Sequence, residues 1–138
     1  MAIWRFEAIG TRWEIESASD LDDASRQAVS AEIERFDREW SRFRSDSAVT
    51  RVGREGGSIR SRDVAPMLDA YRDASAATGG AVNPLVGDSL AALGYDAAYT
   101  LTAGPPVAAP SDWQRLVRWT AAEATASAPV LLDVGALG

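Results

Sequence analysis

The chain has 138 residues, with Lys+Arg 14, Asp+Glu 20 and a formal net charge of -6, and it contains no Cys, no His and no Lys, so every cationic side chain is arginine. That composition excludes a thiolate nucleophile, a disulfide, a Cys/His zinc site, an imidazole base, a lysine Schiff base and a P-loop lysine from these residues. What remains for chemistry is carboxylates, hydroxyls, amides, arginines, aromatic rings and the backbone, a set suited to a hard cation held through oxygen or to a large ligand held by backbone and ring contacts.

Hydrophobic content of 46% and charge of 25% fit a globular chain the length of one domain, or of a large part of one. A pI near 4.6 argues against nucleic acid as a partner, because phosphate binding needs a basic face. No run of about 18 apolar residues is present, so no membrane span is expected. The start, Met1-Ala2-Ile3-Trp4-Arg5, has no charged region leading into an apolar one. A cytoplasmic location is therefore expected, with export or membrane anchoring after removal of a leader as the alternative.

Residues 3–16 alternate, with Trp4, Phe6 and Ala8 on one face and Thr11, Trp13 and Ile15 on one face after a break at Gly10, which predicts two strands joined near Ile9-Gly10-Thr11. Ser19 followed by Asp20, Asp22 and Asp23 predicts the start of a long helix. Val29, Ile33, Phe36, Trp40 and Phe43, at spacings of four, three, four and three, share its inner face. A turn, a short helix and the glycines Gly53, Gly56 and Gly57 lead to an extended Ser58-Ile59-Arg60. Ser61 is placed to cap a helix with Val64, Leu68, Tyr71 and Ser75 inward, stopped by Gly79 and Gly80. Asn83-Pro84 predicts the cap and first position of a third helix, with Val86, Leu90 and Leu93 inward and Gly94 at its end. Residues 102–110 form a loop, and Arg115–Trp119 and Val130–Val134 read as strands. The order predicts an α+β fold, with helices packed on a mostly antiparallel sheet. The final residues, an apolar strand running into Gly135-Ala136-Leu137-Gly138, are expected to be cut inside a motif.

Four segments carry groups that chemistry can use. Ala8-Ile9-Gly10-Thr11 is a tight break between strands, and a plain hairpin turn accounts for it as well. Ser41-Arg42-Phe43-Arg44-Ser45-Asp46-Ser47 closes the long helix, where a capped helix end is the simpler reading. Thr78-Gly79-Gly80-Ala81-Val82-Asn83-Pro84 lets backbone approach a ligand closely, although a glycine stop followed by an asparagine cap explains the same residues. Asp133, at the end of a strand and before a glycine turn, occupies a common ligand-site position that is also a common turn cap.

Taken together and in this order, the segments resemble the FAD:protein FMN transferases, the ApbE-like flavin transferases. That family has an Ala-Met-Gly-Thr turn, a Ser-Arg-Phe/Tyr segment, a Thr-Gly-Gly-Ala-Phe-Asp-Pro loop followed by Leu-Gly-Tyr, and an Asp-Leu-Gly-Gly/Ala motif that runs into Lys-Gly. The matching stretches here are Ala8–Thr11, Ser41–Ser47, Thr78–Pro84 with Leu93-Gly94-Tyr95, and Asp133–Gly138. Ile9 replaces the family's Met, and Asn83 its Asp. The resemblance implies an ApbE-like (T-fold-like) domain of which residues 1–138 are the N-terminal portion, the C-terminal portion being absent.

It also implies a reaction. FAD is bound as substrate with Mg²⁺ on its pyrophosphate, a threonine hydroxyl of a target protein attacks the FMN-side phosphorus, and AMP leaves. By the same resemblance Ile9, Phe43, Ala81, Val82, Asn83 and Asp133 contact FAD, and the Ala136 carbonyl binds Mg²⁺. No catalytic base is assigned among these residues, and the fragment alone is expected to be inactive. Two alternatives use the same segments: a pyrophosphatase converting FAD to FMN and AMP, and a non-catalytic FAD-binding protein.

Overall fold

The computed structural model describes residues 1–135, and the chain divides into two compact units, Met1–Asp37 and Arg38–Gly138. In the first unit, strands β1 (Ala2–Ala8) and β2 (Thr11–Ser17) pair antiparallel, with Phe6 opposite Trp13 and Ala8 opposite Thr11. The predicted alternation places Trp4, Phe6 and Trp13 in one ring ladder, with centroids 4.1 and 6.2 Å apart along it. Arg26 of the following helix lies over the Trp4 ring. The strands are joined by Ile9 and Gly10, both at positive φ (46° and 74°), the backbone signature of a two-residue turn that matches strand twist.

Helix α1 (Asp23–Trp40) begins later than Ser19. The Asp22 carboxylate accepts the Ser25 N–H at 2.8 Å, so Asp22 provides the cap. The helix also stops earlier than the apolar spacing implies. Ser41 Oγ accepts the Phe43 N–H at 3.3 Å, and the Arg44 N–H donates to the Ser41 carbonyl at 3.3 Å, which folds the chain into a turn. Phe43 is therefore a loop residue and not the last apolar residue of the helix.

In the second unit, α2 (Ala48–Glu55) is capped by Ser47, which accepts the Thr50 N–H, and it ends at Gly56. Next come β3 (Gly57–Arg60), α3 (Val64–Ala77), α4 (Gly87–Ala92), α5 (Trp113–Leu116), β4 (Val117–Trp119) and β5 (Glu123–Ala126). The three strands form an antiparallel sheet in the order β3-β5-β4, with Ala124 paired to both Ile59 and Trp119. Val49, Val52, Ile59, Val64, Leu68, Tyr71, Trp113, Val117 and Leu132 are fully buried around it. The α+β class with antiparallel sheets holds.

Several elements differ from the sequence reading. Asn83-Pro84 does not start a helix. Asn83 Oδ1 accepts the Leu85 N–H at 2.8 Å, closing a local turn, and α4 begins only at Gly87. Leu93, expected inward, is 60% exposed because α4 ends before it. Arg115 belongs to α5, not to a strand. Val130–Val134 is buried on alternate residues but has no strand partner among the described residues; the Asp133 N–H donates instead to the Pro84 carbonyl. β5 was not predicted, because Glu-Ala-Thr-Ala has little β-branched or aromatic content and becomes a strand only through its two neighbours. No helix of the described residues is long and apolar enough to cross a membrane.

Candidate functional site

Arg42 links residues of the second unit that are distant in sequence. It follows the last turn of α1, and its side chain is 3% exposed. Nε donates to Asp133 Oδ2 at 2.5 Å and Nη1 to the Tyr95 carbonyl at 2.6 Å. Nη2 has no hydrogen-bond acceptor among the described residues. The guanidinium carbon lies 4.3 Å from the Phe43 ring centroid and 4.9 Å from that of Tyr95, so its charge rests on two ring faces.

Asp133 is fixed at every polar atom. Besides Arg42, its carboxylate accepts the Gly135 N–H at 2.8 Å. Its backbone N–H goes to Pro84 and its carbonyl accepts the Tyr71 hydroxyl at 3.2 Å. A carboxylate in such surroundings keeps its place because its partners are already arranged.

Phe43 also belongs to an aromatic group. Tyr99 stacks on it at 4.9 Å with 8° between the planes, and Tyr95 stands edge-on to both. The loop carrying Tyr99 is closed by Asp96, which accepts the Ala98 N–H and both the N–H and hydroxyl of Thr100. The Thr100 hydroxyl, reinforced by these N–H groups, holds the Asp96 carboxyl below its ordinary pKa. Burial pushes the Tyr99 phenol up, and neighbouring Tyr95 adds to the shift.

The Gly79-Gly80 segment forms the rim of a crevice of about 480 Å³, with Ala81, Asn83, Ala109, Ser111 and Gln114 among its lining. Gly79 and Gly80 have φ of 60° and 88°, and a Cβ on either would meet nothing within 4 Å among the described residues, so the backbone there is open to close approach. Val82 is not part of this lining; its N–H donates to Thr78 Oγ1 at 3.0 Å. Asn83 is buried, and its side chain is occupied on both atoms: Oδ1 by Leu85 and Nδ2 by the Pro110 carbonyl at 2.8 Å. The second contact requires a donor, so an amide, and not the carboxylate of the family motif, suits this position.

Ile9 lies at the hairpin tip of the first unit, 47% exposed and at positive φ, where a β-branched residue is strained. Ala136 lies outside the described residues. Among the described residues no group of three or more His, Cys, Asp or Glu could hold a metal ion.

Of the residues singled out from sequence, Phe43 and Asp133 are joined through Arg42, while Ala81 and Asn83 share the crevice. The sequence assigns none of Arg42, Tyr71, Tyr95 and Tyr99 to the site. Arg42 and Tyr95 stood inside quoted motifs, and their contacts are to residues distant in sequence. Tyr71 was read only as core, and nothing in the sequence marked Tyr99.

The model of the ApbE family matches residues 9–138, nearly the whole chain. The chain belongs to the ApbE family. Solved structures agree in fold. The apo form of the flavinyl transferase ApbE of Pseudomonas stutzeri is 18% identical with a TM-score of 0.70, over 99% of this chain and 50% of that one. The flavin transferase ApbE of Vibrio cholerae is 14% identical with a TM-score of 0.71, over 96% and 47%. The ApbE protein of Thermotoga maritima is 17% identical with a TM-score of 0.69, over 97% and 47%. The chain thus spans about half the length of these ApbE-family structures. No curated protein matches it.

Proposed function

We propose that the chain is part of a flavin transferase that moves FMN from FAD to a threonine of a target protein and releases AMP. The observation that carries this reading is the meeting of three family segments at one residue, Asp133, whose carboxylate takes Arg42 and whose backbone N–H donates to Pro84. Arg42 of the second segment, Pro84 of the third and Asp133 of the fourth are hydrogen-bonded together, with the Tyr95 carbonyl on the same guanidinium. Segments far apart in sequence converge in this way when they build one site.

In this reading the half-exposed rings beside Phe43 offer a face for a planar ring system, and the open glycine segment lets a ligand come close to the backbone. Asp133, held rigid, accepts a hydrogen bond from FAD at a fixed place. In the threonine transfer, the O–P bond to FMN forms, the pyrophosphate O–P bond breaks with AMP leaving, and the hydroxyl proton passes to a base that the sequence does not assign. On the family resemblance, Mg²⁺ would sit at the pyrophosphate and neutralise charge there. The described residues have no ligand cluster for it, so it would need donors beyond them.

The test is incubation of the full-length protein with FAD, Mg²⁺ and a target carrying the acceptor threonine. The target is expected to become covalently fluorescent, and a proven acceptor that stays colourless overturns the reading. AMP release with no acceptor would mark hydrolysis to FMN and AMP, and FAD binding without AMP would mark a non-catalytic binding protein.

A further inference from the structure

Tyr99 lies in none of the family segments, yet it continues the ring group that starts at Phe43. Its ring is nearly parallel to that of Phe43, with 4.9 Å between centroids and 8° between planes. Tyr95 closes the group edge-on, 5.6 Å from Tyr99. Phe43 accordingly covers one face of the Tyr99 ring, while Tyr99 as a whole remains 50% exposed.

The backbone holds it there at a cost. Tyr99 has φ of 50° and Leu101 φ of 54°, a left-handed conformation that bulky side chains avoid. The loop is nevertheless closed at several points: the Leu101 N–H donates to the Gly94 carbonyl at 2.9 Å, the Gly104 N–H to the Ala92 carbonyl at 2.7 Å, and the Asp96 carboxylate ties residues 98 and 100. A ring kept half in water by a strained, closed loop leaves apolar surface that a planar partner would remove from solvent.

We propose, on the flavin transferase reading above, that Tyr99 is a binding residue for a planar heteroaromatic ring of the dinucleotide, extending the Phe43 stack outward. The ring is either the isoalloxazine or the adenine, since both present a flat face to a phenol. Stacking needs the aromatic ring and not the hydroxyl, so phenylalanine serves in its place.

The experiment measures FAD binding to the full-length protein by calorimetry without an acceptor, so that no turnover is needed. Tyr99→Leu is expected to weaken FAD binding about tenfold, and Tyr99→Phe to stay within about twofold of wild type. Separate titrations with FMN and ADP identify the ring, which belongs to whichever ligand loses affinity in Tyr99→Leu. Equal FAD affinity in Tyr99→Leu and wild type overturns the proposal while leaving the flavin reading intact. Equal loss in the Leu and Phe variants also overturns it, since the ring would then not be the recognised feature. So does a loss for FAD with none for FMN or ADP. Wild-type protein that binds no FAD overturns the flavin reading itself, and this proposal with it.

Discussion

Arg42 Nε donates to Asp133 Oδ2 at 2.5 Å across a separation of 91 residues. The arginine lies just past a helix end and the aspartate on an extended segment without a strand partner among the described residues, so neither position follows from secondary structure alone. Both side chains are largely shielded from water. A buried ion pair adds little net stability over an apolar pair, but it is costly to break, because one charge is left without a partner. Its value here is positional: it sets where the Asp133 carboxylate stands and which way the Phe43 and Tyr95 rings face.

Arg42→Gln is therefore expected to destabilise the protein by about 3 kcal/mol, the cost of stranding Asp133. The double variant Arg42→Met with Asp133→Leu removes both charges and is expected to recover most of that loss. Urea unfolding of the single and double variants checks both outcomes. A single variant as stable as wild type would mean that the pair does not organise this region.

Asn83→Asp tests the amide's donor role. The change keeps the acceptor for Leu85 but places a carboxylate oxygen against the Pro110 carbonyl. A cost of about 1–2 kcal/mol is expected from the lost hydrogen bond and the unfavourable contact. The loop over residues 102–110 should also be cut faster by a protease, which limited proteolysis followed by mass spectrometry would read directly.

Two glycines with similar backbone angles should respond differently to alanine. Gly94 has φ of 96°, and a Cβ there would stand 2.6 Å from the Thr102 nitrogen and 2.8 Å from the Leu101 carbonyl carbon. Gly80 has φ of 88° with nothing within 4 Å. Gly94→Ala combines strain with a backbone clash and is expected to cost about 3 kcal/mol or more. Gly80→Ala carries only strain, about 1–2 kcal/mol. Comparing the two melting temperatures is sufficient, and Gly80→Ala should show the smaller drop.

Ile9→Asn is expected to stabilise the first unit's hairpin by about 1 kcal/mol, because asparagine tolerates the left-handed conformation that isoleucine resists. On the proposed flavin transferase reading this side chain touches the flavin, and FAD binding is then expected to weaken severalfold in the same variant. Thermal unfolding and FAD titration together would show stability and affinity moving in opposite directions.

The hairpin and the inner face of α3 were legible because their signals are local. Alternation fixes a strand face, and i, i+3, i+4 spacing fixes a helix face. Val64, Leu68, Tyr71 and Ser75 are all buried as their spacing implied. The helix ends were less legible. Asp22 competes with Ser19 as a cap, Ser41 turns the chain before Phe43, and Asn83 closes a turn of its own. At Ser41 and Asn83 a short polar side chain offered the backbone a local alternative to the helix.

By itself the sequence determined which chemistry was excluded, the α+β class and the order of four segments. These depend on residue identity and spacing along the chain, and a single chain carries that information. Only the tertiary structure decided that β5 exists, that Val130–Val134 pairs with no strand among the described residues, and that Arg42 joins Asp133 to Tyr95. The reason is physical. A weak strand such as Glu123–Ala126 is made by its neighbours, and a buried charge is placed by partners from remote parts of the chain. Without Cys, His or Lys, the chain's chemistry depends on where a few arginines, carboxylates and rings meet, and that meeting is a property of the fold.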